Sequence, residues 1–259
     1  MNFKVSFSNR SHKYTDEEVK IVVEAMNNAD PLTQGIYLKE FEKKFCDYLN
    51  VKHAFGVNSA TSALELAAQL CQFEKDDEVI IPLHTYTSSA YPFIKKGAKV
   101  KWCDIDLETR VVNVKTIEDQ ITNKTKAIVV VHLYGYCANM PEIINLAKNN
   151  NLLVIEDVAQ AMGTTINSKK AGSFGDFGIF SFHSHKNMTT LGEGGMLTVK
   201  NDKIAEIVPM LRHNGHCSFK FDRNDYWLPA MGNLDLPNFK GVDMMPNNYC
   251  IGEVECALG

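Results

Sequence analysis

Short apolar runs recur along the chain, separated by stretches in which apolar positions return every three or four residues. The runs "HAFGV" (53–57), "EVIIP" (78–82), "KVKWC" (99–103), "KAIVVV" (126–131), "LLVIE" (152–156), "FGIFSF" (177–182) and "GMLTV" (195–199) read as strands. Between most of them lie amphipathic segments such as "ATSALELAAQLC" (60–71) and "NMPEIINLAKNN" (139–150), which read as helices. Buried strands alternating with helices predict an α/β fold, a mostly parallel central sheet with helices on both faces.

The first helix carries its own start signal, Thr15 followed three residues later by Glu18, the pattern of a capping box, and it is expected to stop near Asp30–Pro31. From about His213 to Asn248 the alternation fails, and Gly, Pro, Asn and aromatic residues take over. A loop of that length inside a compact domain reads as a functional or a mobile segment. The last stretch, "NYCIGEVECALG" (248–259), turns helical, with Ile251, Val254 and Leu258 spaced to share one face, and the chain reads as a fragment of something longer.

Composition narrows the function. With 259 residues and 45% hydrophobic content the chain can bury a full core. A net charge of −4, without any Lys/Arg cluster larger than a pair, argues against a nucleic-acid partner. No stretch approaches the roughly 18 apolar residues of a membrane span, and the N-terminus lacks the apolar core of a signal peptide, so a cytoplasmic protein without a membrane partner is expected. The seven cysteines are scattered without a C-x-x-C pair, against both a disulfide framework and a zinc site.

In open α/β sheets ligands bind beyond the carboxyl ends of the strands, so the residues that follow each run carry the chemistry. After "HAFGV" comes "NSATSAL", small hydroxylated residues opening a helix, where free N–H groups suit a phosphate; any helix can also begin this way. Tyr86, in "LHTYTSSAY", can offer a flat face to a planar ligand or fill the core. Asp157, after "LLVIE", can bind Mg²⁺, cap a helix or pair with a buried cation. The segment "SFHSHKNMTTLGEGG" (181–195) is read in two ways. His183 and His185 can begin a metal site of the amidohydrolase kind, which would need further ligands, whereas Lys186 can form a Schiff base with a carbonyl. One cofactor uses an amine, an anion cradle, a carboxylate and a flat partner together: pyridoxal 5′-phosphate (PLP).

The order of these residues resembles the DegT/DnrJ/EryC1/StrS family of PLP-dependent sugar aminotransferases, of the fold type I (aspartate aminotransferase-like) class. The resemblance runs through "LTQG" (32–35), "NSATSALELA" (58–67), "IIPLHTYTSSA" (80–90), "VVHLYG" (130–135), a 49-residue block from 154 to 202, and "NNYCIGEVECALG" (247–259). It implies that Lys186 is the Schiff-base lysine, Asp157 the partner of the pyridine nitrogen, and Gln160, one helical turn beyond, the neighbour of the ring hydroxyl. It further implies that Tyr86 stacks on the ring, that Ala60, Thr61 and Ser181 cradle the phosphate, and that Asn248 reaches the phosphate of a neighbouring subunit in a homodimer with shared sites. Cys250 stands where the family often has arginine, and His183 and His185 are departures from its pattern.

The implied organisation is an N-terminal arm (1–15), a PLP-binding large domain (16–245) and the start of a connection (246–259) to a small C-terminal domain that is missing here. The implied activity is transfer of an amino group, from glutamate, to a keto-sugar, nucleotide-linked, giving an amino sugar. A PLP-dependent sugar dehydratase and a non-catalytic PLP-binding protein of the same family remain alternatives, although the dehydratase branch resembles members with histidine at the Schiff-base position. A metal-dependent hydrolase using His183 and His185 is the alternative from another class.

Overall fold

The computed structural model describes residues 13–215 and 244–259. The strands, in chain order, are β1 (Ala54–Val57), β2 (Glu78–Pro82), β3 (Lys99–Cys103), β4 (Thr125–Val131), β5 (Leu153–Asp157), β6 (Thr165–Ile166), β7 (Lys169–Lys170), β8 (Phe177–Ser181) and β9 (Gly195–Val199). The helices are α1 (Asp16–Asn28), α2 (Ile36–Leu49), α3 (Ala60–Leu70), α4 (Tyr91–Lys95), α5 (Val114–Glu118), α6 (Met140–Asn149), α7 (Asp202–Ala205), α8 (Val208–Arg212) and α9 (Glu253–Leu258).

All seven apolar runs enter one sheet, in the order β1-β9-β8-β5-β4-β2-β3, while β6 and β7 form a separate small hairpin. Neighbours from β3 across to β8 pair in parallel, and β9 pairs antiparallel with both β8 and β1. The reversal follows from the connection: residues 182–194 between β8 and β9 fold back on themselves, with Phe182 N–H donating to Gly194 O (2.9 Å) and Ser184 N–H to Gly192 O (2.9 Å), so the chain returns beside β8 without crossing the sheet.

Side chains of successive strand residues point to opposite faces, and the core divides accordingly. Phe177, Ile179 and Leu197 join one apolar cluster with Leu64 and Leu66 of α3 and Ile143 of α6. Phe180 and Met196 join the other, with Leu38, Phe41 and Phe45 of α2. This is the expected sheet covered on both faces.

Both ends of α1 form as the sequence predicts. Thr15 Oγ1 accepts from the Glu18 N–H (3.2 Å), the Thr15 N–H donates to Glu18 Oε2 (2.7 Å), and the helix stops at Asn28. The C-terminal helix needs a correction. It begins at Glu253, its buried residues are Glu253 and Cys256, and Val254 and Leu258 are only half-buried. The reason is electrostatic. α2 begins at Gly35, which has no side chain to cap it, and the fully buried Glu253 carboxylate accepts the N–H groups of Gly35 (2.8 Å), Tyr37 (2.8 Å) and Leu38 (3.3 Å).

Residues 1–12 of the expected arm and 216–243 of the long loop lie outside the described residues. Among the described residues no helix is long and apolar enough to cross a membrane.

Candidate active site

A cavity of about 440 Å³ opens beyond the carboxyl ends of β1, β2, β4, β5 and β8. Seven of the eight predicted site residues line it: Ala60, Thr61, Tyr86, Asp157, Gln160, Ser181 and Lys186. They come from distant parts of the chain, brought together because parallel strands end at one rim of the sheet. Asn248 does not line it. This residue is exposed and pairs through its backbone with His213, one position before Tyr249, whose carbonyl accepts the Asn58 N–H (2.9 Å).

The first wall is the N-terminus of α3. Ser59 caps it, its Oγ accepting the Ser62 N–H at 3.1 Å, while the N–H groups of Ala60 and Thr61 have no acceptor among the described residues. Gly195 makes room here: a Cβ on it would stand 2.5 Å from the Ser59 carbonyl carbon and 2.6 Å from the Ala60 nitrogen. Thr61 Oγ1 donates to Ser88 Oγ (3.0 Å), which ties this wall to the turn after β2. An 11-residue helix with free N–H groups at the cavity is suited to a phosphate.

The second wall carries Asp157. Ser89 Oγ donates to its Oδ2 (2.7 Å) and the Ala159 N–H to its Oδ1 (3.1 Å), and Thr85 Oγ1 donates in turn to Ser89 (2.7 Å). Helix capping is not its use, because turns follow β5 instead of a helix. Gln160 therefore does not sit one helical turn on. It reaches the cavity by the turn closed between the Ala161 N–H and the Val158 carbonyl (3.0 Å), and its Oε1 accepts the Tyr134 N–H (3.2 Å). Tyr86 is 72% exposed at the rim, which removes the core-filling reading.

Lys186 stands on the third wall, in the turn between β8 and β9. Its N–H donates to the His183 carbonyl (2.8 Å), and Phe182 N–H to Gly194 O (2.9 Å) and Ser184 N–H to Gly192 O (2.9 Å) close the turn. Gly192 (φ +115°) and Gly194 (φ +157°) take backbone angles that side chains disfavour, which accounts for the glycine-rich close of this segment. Burial pulls the Lys186 amine below its ordinary value of 10.5, and the Asp157 carboxylate pulls the other way.

An amine, a carboxylate and an anion cradle thus share one cavity, and the family model for DegT/DnrJ/EryC1/StrS aminotransferases matches residues 13–259. The chain belongs to that family. It is 42% identical over 223 residues to GDP-perosamine synthase from Caulobacter vibrioides, a match covering 85% of this chain and 58% of that protein. The aminotransferase from Psychrobacter cryohalolentis superposes with a TM-score of 0.84 at 29% identity, over 98% of this chain and 62% of its own. The E. coli GDP-4-keto-6-deoxy-D-mannose-3-dehydratase, solved with hydrated PLP, superposes with a TM-score of 0.82 at 27% identity, over 98% and 66%. The chain therefore spans about three-fifths of the length of these family members.

His183 and His185 both line the cavity beside Lys186, with ring centroids 5.0 Å apart. The His185 N–H donates to His183 Nδ1 (3.2 Å), so the neutral ring carries its proton on Nε2, 3.7 Å from Glu193 Oε1. Among the described residues no three His, Cys, Asp or Glu side chains converge as metal ligands, and the hydrolase alternative lacks the further ligands it needs.

Several residues that serve the site escape sequence reasoning. Ser89 and Thr85 hold Asp157, and their only trace is an i, i+4 hydroxyl pair within "HTYTSS" at 84–89. His132 lines the cavity and Glu156 stands behind it, both fully buried. His132 Nε2 meets Glu156 Oε2 at 3.1 Å, the Ala138 N–H donates to His132 Nδ1 (3.2 Å), and the His132 N–H donates to the Asp157 carbonyl (3.0 Å). Glu156 also accepts the N–H groups of Gly172 (2.8 Å), Phe174 (2.7 Å) and Gly175 (2.7 Å). Together they fix the turn at Leu133–Gly135, and through Tyr134 the position of Gln160.

Proposed function

We propose that this protein is a PLP-dependent aminotransferase that moves an amino group from glutamate to a nucleotide-linked keto-sugar, forming an amino sugar. The observation that carries the reading is the half-buried Lys186 amine in one cavity with the Asp157 carboxylate and the open N-terminus of α3. The 42% identical relative named GDP-perosamine synthase supports the nucleotide-linked sugar. Small molecules rather than nucleic acid, action in the cytoplasm, and a division at residue 245 between a cofactor-binding unit and a connecting segment belong to the same proposal.

The residues present fit the cofactor. The acceptor-free N–H groups of Ala60 and Thr61, with room kept by Gly195, suit its phosphate, and Ser181 and Thr61 add hydroxyls there. Asp157 suits the pyridine nitrogen, Gln160 the ring hydroxyl and Tyr86 a ring face. When bound, PLP supplies an electron sink for charge developing at the substrate carbon. Asp157, held by Ser89 and Ala159, would keep a proton at the ring nitrogen, and that positive charge would make the sink effective. With PLP bound, Lys186 would hold its aldehyde, and its amine, free in the presence of the amino donor, would take a proton from the substrate carbon and give it back on completing the transfer. Lysine at this position favours amino transfer over the dehydratase alternative.

The direct test is the absorbance spectrum of the protein with PLP, before and after glutamate. A glutamate-dependent change that a keto-sugar reverses is expected; an unchanged spectrum would leave a PLP-binding protein without transferase activity.

Capture of PLP needs the neutral amine. Because burial lowers the Lys186 pKa, its neutral fraction rises with pH through a midpoint below 10.5. The rate of PLP capture should therefore climb with pH and level off earlier than for a free lysine side chain, as stopped-flow absorbance would record. A midpoint at or above 10.5 would contradict it.

Asp157→Asn removes one partner of a buried charge pair, a loss of about 3–5 kcal/mol if fully felt in the transition state, or roughly 10²–10⁴-fold in kcat. Tyr86→Phe keeps the ring and should stay within about threefold of wild type. Equal kcat values for the two variants would deny Asp157 its role.

The proposal includes a homodimer with shared sites, in which Asn248 of one subunit reaches the phosphate bound by the other. Its exposure outside the cavity of its own chain is compatible with that use. Mixed dimers of Lys186→Ala and Asn248→Ala chains should regain activity, since one of their two sites is intact. Absence of recovery in confirmed mixed dimers would refute sharing.

A further inference from the structure

The strand that leads into the anion cradle lies at the edge of the sheet. β1 pairs with β9 on one side, so the backbone polar groups on its outer side need partners from elsewhere. At the buried Gly56 two side chains supply them. Glu42 Oε1, on α2, accepts the Gly56 N–H (2.9 Å), and Nη1 of Arg212, the last residue of α8, donates to the Gly56 carbonyl (2.7 Å). Nη1 also donates to Glu42 Oε1 (2.5 Å), and Nη2 to Gln34 Oε1 (3.0 Å). Arg212 is buried, and glycine at 56 lets α2 come close, since a Cβ there would stand 2.8 Å from Leu38 Cδ1.

Two residues along the same edge, the backbone of Tyr249 takes over. Its carbonyl accepts the Asn58 N–H (2.9 Å), and its N–H donates to the Arg212 carbonyl (2.8 Å). Asn58 Oδ1 then accepts from Ser62 Oγ (2.6 Å) in the first turn of α3, and Ser59 caps that helix. Arg212 thus holds the edge twice, at Gly56 with its side chain and at Asn58 through Tyr249. The cradle opens directly beyond.

We infer that Arg212 is a positioning residue for the phosphate cradle: paired with Glu42, it fixes the outer edge of β1 and so the direction in which the Ala60 and Thr61 N–H groups point. Neither Arg212 nor Glu42 lines the cavity, so both act through the strand. The inference rests on the aminotransferase reading in one respect, that the phosphate is that of PLP. Lysine is no substitute for this arginine. A single ammonium on a flexible stem cannot serve Glu42, Gly56 and Gln34 together as a planar fork does. Glu42→Gln keeps the shape of its side chain and removes the charge that the fork grips.

The test compares PLP with pyridoxal, which shares the ring and the aldehyde and lacks the phosphate. Dissociation constants are read by absorbance for the wild-type protein, Arg212→Lys and Glu42→Gln. In both variants PLP should bind at least about tenfold more weakly, within the roughly 10–100-fold that supporting residues behind a ligand-holding group contribute, while pyridoxal stays within about twofold. Equal losses for the two ligands would make Arg212 a general stabiliser, and unchanged PLP affinity would disconnect it from the cradle. Either result overturns the inference.

A second measurement needs no variant. Coupling between two sites is reciprocal, so a cradle held by the clamp must in turn hold the clamp when it is filled. Inorganic phosphate, added to wild-type protein free of PLP, should slow amide exchange at Gly56 more than at Val154, whose N–H is held by Asp176 (2.9 Å) at the end of β5 away from the cavity. Equal slowing at both, or none at Gly56, overturns the inference whether or not the variants fold. Wild-type protein that binds neither PLP nor pyridoxal would refute the proposed function, while the exchange result still decides on Arg212.

Discussion

Replacing Lys186 by alanine is expected to abolish covalent capture of PLP: borohydride reduction and peptide mapping should place the pyridoxyl group at Lys186 in the wild-type protein and nowhere in the variant. The expectation rests on position. Lys186 lines the cavity with Asp157, and burial holds its amine below the ordinary lysine range, which raises the neutral fraction that attacks a carbonyl. Two nearby lysines in sequence are controls. Lys169 and Lys170, on β7, lay their amines over the rings of Phe174 and Tyr48, each 4.5 Å from the ring centre, and neither lines the cavity. Amino transfer by Lys186→Ala should fall by at least the roughly 10²–10⁴-fold that a positioned proton-transfer group contributes, and further through loss of the anchor. PLP should still bind reversibly, because the α3 N-terminus and Asp157 are untouched. Pyridoxyl label at Lys169 or Lys170 in the wild-type protein would refute the assignment.

The central strands are legible because a strand buried on both faces must be apolar throughout, and such runs stand out between amphipathic helices, whereas β3, at the sheet edge with only Cys103 buried, is marked by its alternation. Their placement in one mostly parallel sheet followed from the alternation. The reversal of β9 did not, since an apolar run has no direction, and only the fold-back of residues 182–194 around Lys186 decides it. The site divides in the same way. Asp157 and Lys186 are legible because a charged side chain at the end of an apolar strand is conspicuous. Gln160 lines the cavity, but the helical turn that the sequence places between it and Asp157 is absent, because a spacing of three residues suits a turn as well as a helix.

Ser89, His132 and Glu156 were not legible for a different reason. Their partners are an aspartate 68 positions away, a carboxylate 24 positions away and backbone N–H groups 16 to 19 positions away, contacts with no residue-type signature. Glu156 in particular reads as the polar end of a strand. In the fold it is fully buried and holds the turn behind the cavity together with the loop before β8.

Glu156→Gln is expected to destabilise the protein by about 3–5 kcal/mol, the cost of removing one partner from a buried hydrogen-bonded charge site. The count of donors makes the argument. Oε1 accepts from Phe174 and Gly175, and Oε2 from Gly172 and His132, so four donors converge on two oxygens. A carboxylate accepts all four, whereas an amide has one oxygen and an NH₂ that donates. With its oxygen toward Phe174 and Gly175, the amide points N–H groups at the Gly172 N–H and at His132 Nε2. The imidazole cannot relieve this by changing tautomer, because the Ala138 N–H already donates to Nδ1. Reversing the amide orphans two backbone donors instead of one, so neither orientation escapes the cost of about 1–3 kcal/mol per unsatisfied buried group. Urea unfolding should show a lower midpoint with an unchanged slope. Since Glu156 holds His132, which lines the cavity and orders the turn whose Tyr134 N–H holds Gln160, PLP affinity should fall as well, although Glu156 does not itself line the cavity. A stability loss under about 1 kcal/mol would mean that the four donors find other acceptors, and Glu156 would then be a strand end that happens to be buried.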